Sequence, residues 1–139
     1  MINLERAKHY TKRFEGLRLK PYTCPAGKLT IGYGHNLEDN GITEDMAVRL
    51  LDADLMAAEN EVRAKFSSFY KLNEARQFVL IDMAFNMGIN RLLTFKKMFA
   101  ALAKGEYPTA AREMLNSKWA AQVGNRAKTL AEIMKSGVY

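Results

Sequence analysis

EGLRLKPYTCPAGKLTIGYGH, residues 15–35, is the stretch that decides how this chain folds, because a helical pattern and an extended pattern meet within it. Before it, apolar residues recur at helical spacing between residues 4 and 14. Asn3 is a suitable N-cap for that helix, and Gly16 suits the position just after its end. The pattern therefore predicts a helix whose last residue is Glu15.

Glu15 is a candidate general acid. The negative end of the helix dipole opposes ionisation of a carboxyl group at this position. A carboxylic acid that keeps its proton near neutral pH is the group that acid catalysis needs. The simpler alternative is a solvated Glu at a helix end, which is the commoner state of an arbitrary Glu.

Beyond the helix, the apolar pattern becomes that of an extended chain. Residues 17–22 are predicted to be extended, residues 23–28 contain Pro and Gly and predict a loop, and residues 29–34 alternate as a returning strand. A hairpin this short brings Cys24 and Thr30 close to the end of the first helix.

The spacing of these residues closely resembles the active-site segment of the phage-type lysozymes, glycoside hydrolase family 24. Glu15 is followed after eight residues by Cys24 and after five more by Thr30, and the flanking GLRL and TIGYGH match as well. The resemblance continues over nearly the whole chain and implies an α+β, mostly α, lysozyme-like fold with two lobes. The implied parts are a small β lobe at 16–42, a connecting helix at 43–66, and a helical lobe formed by 1–15 and 67–139.

The resemblance also implies an activity, that of an endolysin. The reaction is hydrolysis of the β-1,4 bond between N-acetylmuramic acid and N-acetylglucosamine in bacterial peptidoglycan, which causes lysis of the host cell. Glycoside hydrolysis needs an acid on the leaving oxygen and usually a second group across the anomeric carbon. The implied catalytic residues are Glu15 as the acid, Cys24 as the second group, and Thr30, whose hydroxyl would hold a water.

Cys24 stands where many members of the family have Asp, although the family also admits Cys. The pKa of a thiol is ordinarily about 8.5, so few thiols ionise at neutral pH unless neighbours such as Lys20 and Lys28 lower it. Cys24 could be a thiolate base or electrostatic stabiliser in an inverting reaction, a nucleophile in a retaining reaction, or nearly passive beside a water held by Thr30. We favour the first role. A small buried apolar residue, the commonest state of free Cys, is the structural alternative.

Downstream, the sequence predicts a long helix that has Thr43 as its N-cap and ends at about Phe66. Asp54 lies near the apolar stripe of this helix, and a carboxylate that faces a core needs a partner. The resemblance implies that this partner is His35 and that the pair fixes the hairpin lobe. The alternative is a solvated Asp54 at the edge of the stripe.

A further helix, predicted at residues 74–87, is apolar on nearly all sides, which is typical of a central core helix. Its polar exceptions are Asp82 and Asn86. The single Trp119 is expected to anchor packing in the helical lobe.

The resemblance assigns three residues of the C-terminal half to the site. Asn86 and Gln122 would line the substrate cleft, and Arg126 would reach Glu15. From the residues alone, either amide is as easily an ordinary surface residue.

Composition limits the classes of partner. The chain has 139 residues and a net charge of +6, but its Lys and Arg residues are scattered, which disfavours a nucleic-acid partner and leaves the bacterial cell wall. One cysteine excludes an internal disulfide, and two histidines with one cysteine at these spacings do not form a zinc motif, so we expect no cofactor or metal. No stretch approaches the ~20 apolar residues of a membrane span, so we expect no stable membrane insertion. We also expect the protein to be a monomer.

The first residues are charged and lack the apolar core of a signal peptide. We therefore expect accumulation in the host bacterial cytoplasm until a holin-made lesion gives access to the wall. Three other functions stay open. A catalytically weak or inactive peptidoglycan-binding module has only Cys24 in its support, a lytic transglycosylase would not need the water-positioning Thr30, and a small basic nucleic-acid binder would need a charged helix face.

Overall fold

The computed structural model describes all 139 residues and contains two compact units, Met1–Arg49 and Leu50–Tyr139. Helices account for most of the chain, and one three-stranded antiparallel sheet accounts for its strands. The predicted fold class, α+β with helices dominating, is confirmed. The first helix belongs to the same unit as the sheet.

The first unit contains a helix, three strands and a short helix: α1 (Leu4–Glu15), β1 (Arg18–Thr23), β2 (Leu29–Gly32), β3 (His35–Asn36) and α2 (Leu37–Asn40). The long helix α3 (Glu44–Lys65) begins in the first unit and continues into the second. The second unit then has a single 3-10 turn and six further helices: Phe69–Lys71, α4 (Glu74–Met87), α5 (Ile89–Leu92), α6 (Lys96–Ala103), α7 (Tyr107–Leu115), α8 (Lys118–Val123) and α9 (Asn125–Ser136).

The ends of the first long helices follow from their capping residues. The side chains of Asn3, Thr43 and Asn73 each accept a hydrogen bond from the backbone N–H three residues later, at 3.0, 3.2 and 3.0 Å. Glu15 is the last residue of α1, as predicted, and Gly16 follows it with φ 70°. These caps satisfy N–H groups that have no partner within the helix.

Two helices in the C-terminal half, α6 and α9, begin without a side-chain cap. The hydroxyl of Thr94, two residues before α6, donates to the carbonyl of Arg91 at 2.6 Å, and the helix begins at Lys96. Asn125 is the first residue of α9 and not its N-cap, because Gly124 occupies the cap position with φ 58°.

The hydrophobic core lies in the second unit, with α4 as its central helix. Val79, Leu80 and Met83 of α4 have no exposed surface, and Trp119 of α8 is 1% exposed, so both core predictions are confirmed. Burying a large apolar side chain contributes about 1.5–3 kcal/mol. The helices α7 and α9 pack against each other, and their buried residues include four alanines: Ala110, Ala111, Ala127 and Ala131.

The apolar stripe of α3 is buried only toward its C-terminal end. Ala58 and Val62 are buried, whereas Leu51 is 45% exposed and Asp54 is exposed. The sequence predicts that Asp54 faces the core and therefore needs a partner. Because Asp54 is exposed, water can solvate its carboxylate, and this reason for a partner does not hold.

The sheet of the first unit places Thr30 at its centre. β2 is the middle strand, with Thr30 opposite Tyr22 of β1 and opposite Asn36 of β3. The short third strand was not predicted, because the Gly-rich turn before it hides its alternation. Thr30 is 3% exposed and is the one buried polar residue of the chain.

Candidate active site

Glu15 reaches the sheet because α1 ends at that residue. Its carboxyl group lies against Gly34, in the turn that joins β2 to β3. A Cβ at residue 34 would lie 2.5 Å from Oε2 and 2.6 Å from Cδ of Glu15, closer than such atoms approach. Gly34 also has φ 75°, a conformation that strains residues with a side chain. The absence of a side chain at this turn makes room for the carboxyl group.

Cys24 lies in a closed turn between β1 and β2. Its carbonyl accepts a hydrogen bond from the N–H of Gly27 at 2.8 Å, and its own N–H donates to the carbonyl of Lys28 at 2.9 Å. Pro25 fixes its own φ at the second position of the turn, and Gly27 has φ 82°. These constraints define a loop at residues 24–28, one residue shorter than the sequence predicts, because Thr23 still pairs with Leu29 in the sheet.

The thiol of Cys24 is partly buried, and hydrogen-bond donors of this loop lower its pKa. The backbone N–H of Lys28 has the largest effect and the hydroxyl of Thr30 the next; partial burial opposes them, and the N–H of Ala26 lowers the pKa further. Donors stabilise the thiolate more than the thiol. From the sequence, Lys20 and Lys28 are the neighbours that could lower this pKa; in the structure the donors that lower it are backbone N–H groups and a hydroxyl.

Thr30 contacts the same loop from the central strand. Its Oγ1 donates to the carbonyl of Lys28 at 2.8 Å. Because a hydroxyl has one proton, donation to the Cys24 thiolate replaces donation to that carbonyl. The carbonyl keeps its hydrogen bond from the N–H of Cys24, so the exchange leaves no buried acceptor unpaired. The hairpin thus brings Cys24 and Thr30 together.

The side chain of Lys28 points to the short helix α2. Its Nζ lies 3.2 Å from Oδ1 of Asp39 and 3.5 Å from Oε2 of Glu38. The ammonium group thus binds two carboxylates, while the backbone carbonyl of the same residue accepts a hydrogen bond from the N–H of Cys24.

His35 is held within the first unit by a backbone contact. Its Nε2 lies 2.6 Å from the carbonyl oxygen of Gly41, and a carbonyl only accepts, so Nε2 carries a proton. This bond fixes the imidazole beside the loop that precedes α3. The pairing of His35 with Asp54 stays a prediction.

In the second unit, Arg126 forms a two-pronged ion pair with Asp82. Its Nε and one terminal nitrogen donate to the two carboxylate oxygens at 2.9 and 3.0 Å. The Asp82 side chain is 17% exposed, and a carboxylate shielded from water to this extent needs a hydrogen-bonded partner. That Arg126 also reaches Glu15 stays a prediction. The guanidinium has N–H groups that the pair with Asp82 does not use.

The two amides predicted to bind substrate are exposed, and each has one fixed partner in the second unit. The indole Nε1 of Trp119 donates to Oδ1 of Asn86 at 2.8 Å, and Arg91 donates to Oε1 of Gln122 at 2.6 Å. An indole N–H and a guanidinium can only donate, so each amide must accept through its oxygen. Both NH2 groups therefore remain available to a ligand.

Comparison with known proteins decides the family, since residues 12–134 match the family model for phage lysozyme. The chain belongs to the phage lysozyme family. It is similar to the probable T4-type lysozyme 1 of Dictyostelium discoideum, at 29% identity over 94% of each chain. It is also similar to an endolysin of Acyrthosiphon pisum secondary endosymbiont phage 1, at 33% identity over 89% of this chain and 84% of that protein.

A third relative shows the same domain within a larger protein. The lysozyme is 27% identical to the pre-baseplate central spike protein Gp5 of enterobacteria phage T4, over 91% of this chain and 27% of that protein. The predicted class of enzyme, a lysozyme and thus a glycosidase, is confirmed by the family match. None of its helices combines the length and apolar composition that crossing a bilayer requires.

Several residues that shape the lysozyme's site were missed in the sequence. Gly34 makes room for the side chain of Glu15, which is distant in sequence, and the backbone N–H of Lys28 lowers the pKa of Cys24, an effect that does not depend on residue type. For Asp82, the polar exception in an otherwise apolar helix was a visible indication that it had a charged partner. Arg91 gave no such indication, because an exposed Arg is solvated by water and needs no partner in the protein.

Proposed function

We propose that this lysozyme hydrolyses the β-1,4 bond between N-acetylmuramic acid and N-acetylglucosamine in peptidoglycan. The observation that carries the proposal is the gathering of two acidic groups at one small sheet. The carboxyl of Glu15 lies on the turn after β2, and the N–H of Cys24 and the hydroxyl of Thr30, in that strand, donate to the same carbonyl, that of Lys28. An acid and a second, ionisable group are what glycoside hydrolysis requires.

In the proposed reaction, Glu15 donates its proton to the glycosidic oxygen as the bond from that oxygen to the anomeric carbon breaks. Water forms the new bond to the anomeric carbon and gives up one proton to the Cys24 thiolate. The lone pairs of the Thr30 hydroxyl accept a hydrogen bond from this water and hold it. Proton return from the thiol to the Glu15 carboxylate, through solvent, completes the cycle.

For Cys24, the surrounding donors favour an anion that stabilises charge over a nucleophile. Nucleophilicity of a thiolate falls as its pKa falls, and each hydrogen bond to the sulfur lowers the pKa. A fixed negative charge facing the oxocarbenium-like transition state gains from the same hydrogen bonds, because they hold it in place. The proposed reaction therefore inverts the anomeric configuration.

Asn86 and Gln122 are proposed to bind the polysaccharide. Trp119 and Arg91 occupy their amide oxygens, so both NH2 groups present donors in a fixed orientation. The acetamido carbonyls and hydroxyls of the glycan are acceptors that match such donors. The proposal predicts that a substrate without N-acetyl groups binds less tightly.

The experiment that tests the function is mass spectrometry of fragments released from purified peptidoglycan sacculi. Fragments with reducing N-acetylmuramic acid ends are expected from the wild-type protein and from Glu5→Gln, the control on the same helix. Glu15→Gln should release none while keeping its circular dichroism spectrum, because only the proton source is lost. Fragments with anhydromuramic ends would show instead that the protein is a lytic transglycosylase. Protein that binds the sacculi but releases no fragments would show that it is a wall-binding module.

Lysis of the host from within, after release through a holin-made lesion, is part of the same proposal. It is supported by the endolysin among the relatives. Expression in the host with and without a holin tests it: culture turbidity should fall only when both proteins are present.

A further inference from the structure

The loop that carries Cys24 is held by side chains of the short helix α2. Lys28 is the last residue of the loop, and its ammonium group reaches Asp39 and Glu38 of α2, at 3.2 and 3.5 Å. Oε1 of Glu38 also accepts a hydrogen bond from the backbone N–H of Leu29 at 3.3 Å. The short helix thus contacts the chain at both residues where the loop enters β2.

The position of α2 is itself fixed relative to the strand that carries Thr30. The side chain of Asn36 accepts from the N–H of Asp39 at 3.0 Å and donates to Oδ2 of Asp39 at 2.9 Å. Asn36 pairs directly with Thr30 in the sheet. The carboxylate that contacts Lys28 is therefore connected, through Asn36, to the strand that carries Thr30.

We propose that Glu38 and Asp39 are positioning residues for Cys24: by holding the Lys28 side chain they fix the turn in which the backbone N–H of Cys24 donates to the carbonyl of Lys28 at 2.9 Å. This inference rests on the proposed function insofar as Cys24 takes part in the reaction. Both carboxylates are half-exposed, and an exposed ion pair adds little to stability. Their effect is on the geometry of the loop.

Positioning and direct electrostatics predict opposite signs, which makes the inference testable. Removing two negative charges near a thiolate favours the thiolate, so a purely electrostatic role lowers the pH at which Cys24 ionises. Loosening the N–H groups that stabilise the thiolate raises that pH. The variant Glu38→Gln/Asp39→Asn separates these effects, since Gln and Asn keep an oxygen acceptor for Leu29 and Asn36.

The measurement is the rate of Cys24 alkylation by iodoacetamide against pH, followed by intact mass, because Cys24 is the only thiol. We expect the midpoint to rise by about half a pH unit, roughly threefold in the ionisation equilibrium. Turnover of soluble peptidoglycan fragments should show a lower kcat at unchanged KM. Lys28→Arg, which retains a cation on a long side chain, should keep the wild-type midpoint.

The matched control is Glu44→Gln/Asp45→Asn at the start of α3, which changes the net charge by the same amount and should leave the midpoint in place. If the double variant at α2 does not fold, as judged by circular dichroism, Asp39→Asn alone serves with the same expected sign. A midpoint that falls or stays constant overturns the inference. A raised midpoint with unchanged kcat supports it and counts instead against the catalytic role of Cys24.

Discussion

The carboxyl group of Glu15 occupies the space that a side chain on Gly34 would need, so there is no room for a methyl group at residue 34. A Cβ at residue 34 would lie 2.5 Å from Oε2 of Glu15. The Gly34 φ of 75° is a second, separate reason for glycine at this turn. The effects of steric room and backbone conformation can be tested separately, because several other glycines have a positive φ but no atom within 4 Å of where a Cβ would lie.

We predict that Gly34→Ala displaces the Glu15 carboxyl and lowers kcat by roughly 100-fold, since catalysis is sensitive to displacements of about 1 Å. The backbone strain of the substitution should cost about 1–2 kcal/mol of stability. Turnover of peptidoglycan fragments and urea unfolding measure the two effects.

Gly32→Ala is the control for strain alone. Gly32 has φ 72°, and a Cβ at that position would have no atom within 4 Å. It should lose similar stability and keep most of the activity. Equal activity losses in Gly32→Ala and Gly34→Ala would show that the contact with Glu15 is irrelevant.

A second prediction concerns the ionisation of Cys24. Donors from Lys28 and Thr30 lower the pKa of the thiol, so alkylation should reach half its maximal rate below the pH of about 8.5 at which an ordinary thiol ionises. Thr30→Val removes one donor at nearly the same volume and should move the midpoint upward. The same protein unfolded in urea supplies the reference value. A folded midpoint at or above that reference would contradict the loop geometry.

The same shift gives a sign for stability. The folded-state pKa of Cys24 is below the unfolded one, so ionisation of the thiol favours folding. This contribution is fully present above the unfolded pKa and is lost as the pH falls through the folded pKa. Cys24→Ala should remove this contribution from the pH dependence of the free energy of unfolding, measured in urea. If the pH dependence does not change, it arises from other groups.

Local determinants explain why much of the first unit could be predicted. Asn3, Glu15 and Gly16 define the end positions of α1 through caps and backbone preference, which depend on adjacent residues. The loop at 24–28 follows likewise from its Pro and Gly. The donors around the Cys24 sulfur could not be predicted, because backbone N–H groups are the same in every residue and only the loop geometry selects them.

In the second unit the limit is different. The burial of Trp119 followed from its size and apolar character. Its hydrogen bond to Asn86 depends on how α4 and α8 approach each other, which periodicity does not specify. The same holds for Arg126, whose partner Asp82 lies 44 residues away in sequence.

We predict that Asp82 and Arg126 stabilise the second unit as a pair. A double-mutant cycle with Asp82→Ala and Arg126→Ala, measured by urea unfolding, should give a coupling energy of about 1–2 kcal/mol. The value is reduced because the Arg126 side chain is 37% exposed. The exposed pair Asp45 and Arg49 is the matched control and should couple by about 0.3–0.5 kcal/mol. Equal coupling in the two cycles would refute a special role for the Asp82 carboxylate.

The last prediction links packing to substrate binding through Trp119. Trp119→Phe should lower stability by about 1–3 kcal/mol, because the site is closed to solvent. It should also raise KM for soluble peptidoglycan fragments, because Asn86 loses the donor that fixes its amide. Phe95→Leu is the control: Phe95 packs edge-on against Trp119, with ring centroids 6.2 Å apart, and does not contact that amide through a hydrogen bond. Phe95→Leu should lower stability without changing KM. If KM rises in both variants in proportion to the loss of stability, the change in KM is due to packing alone.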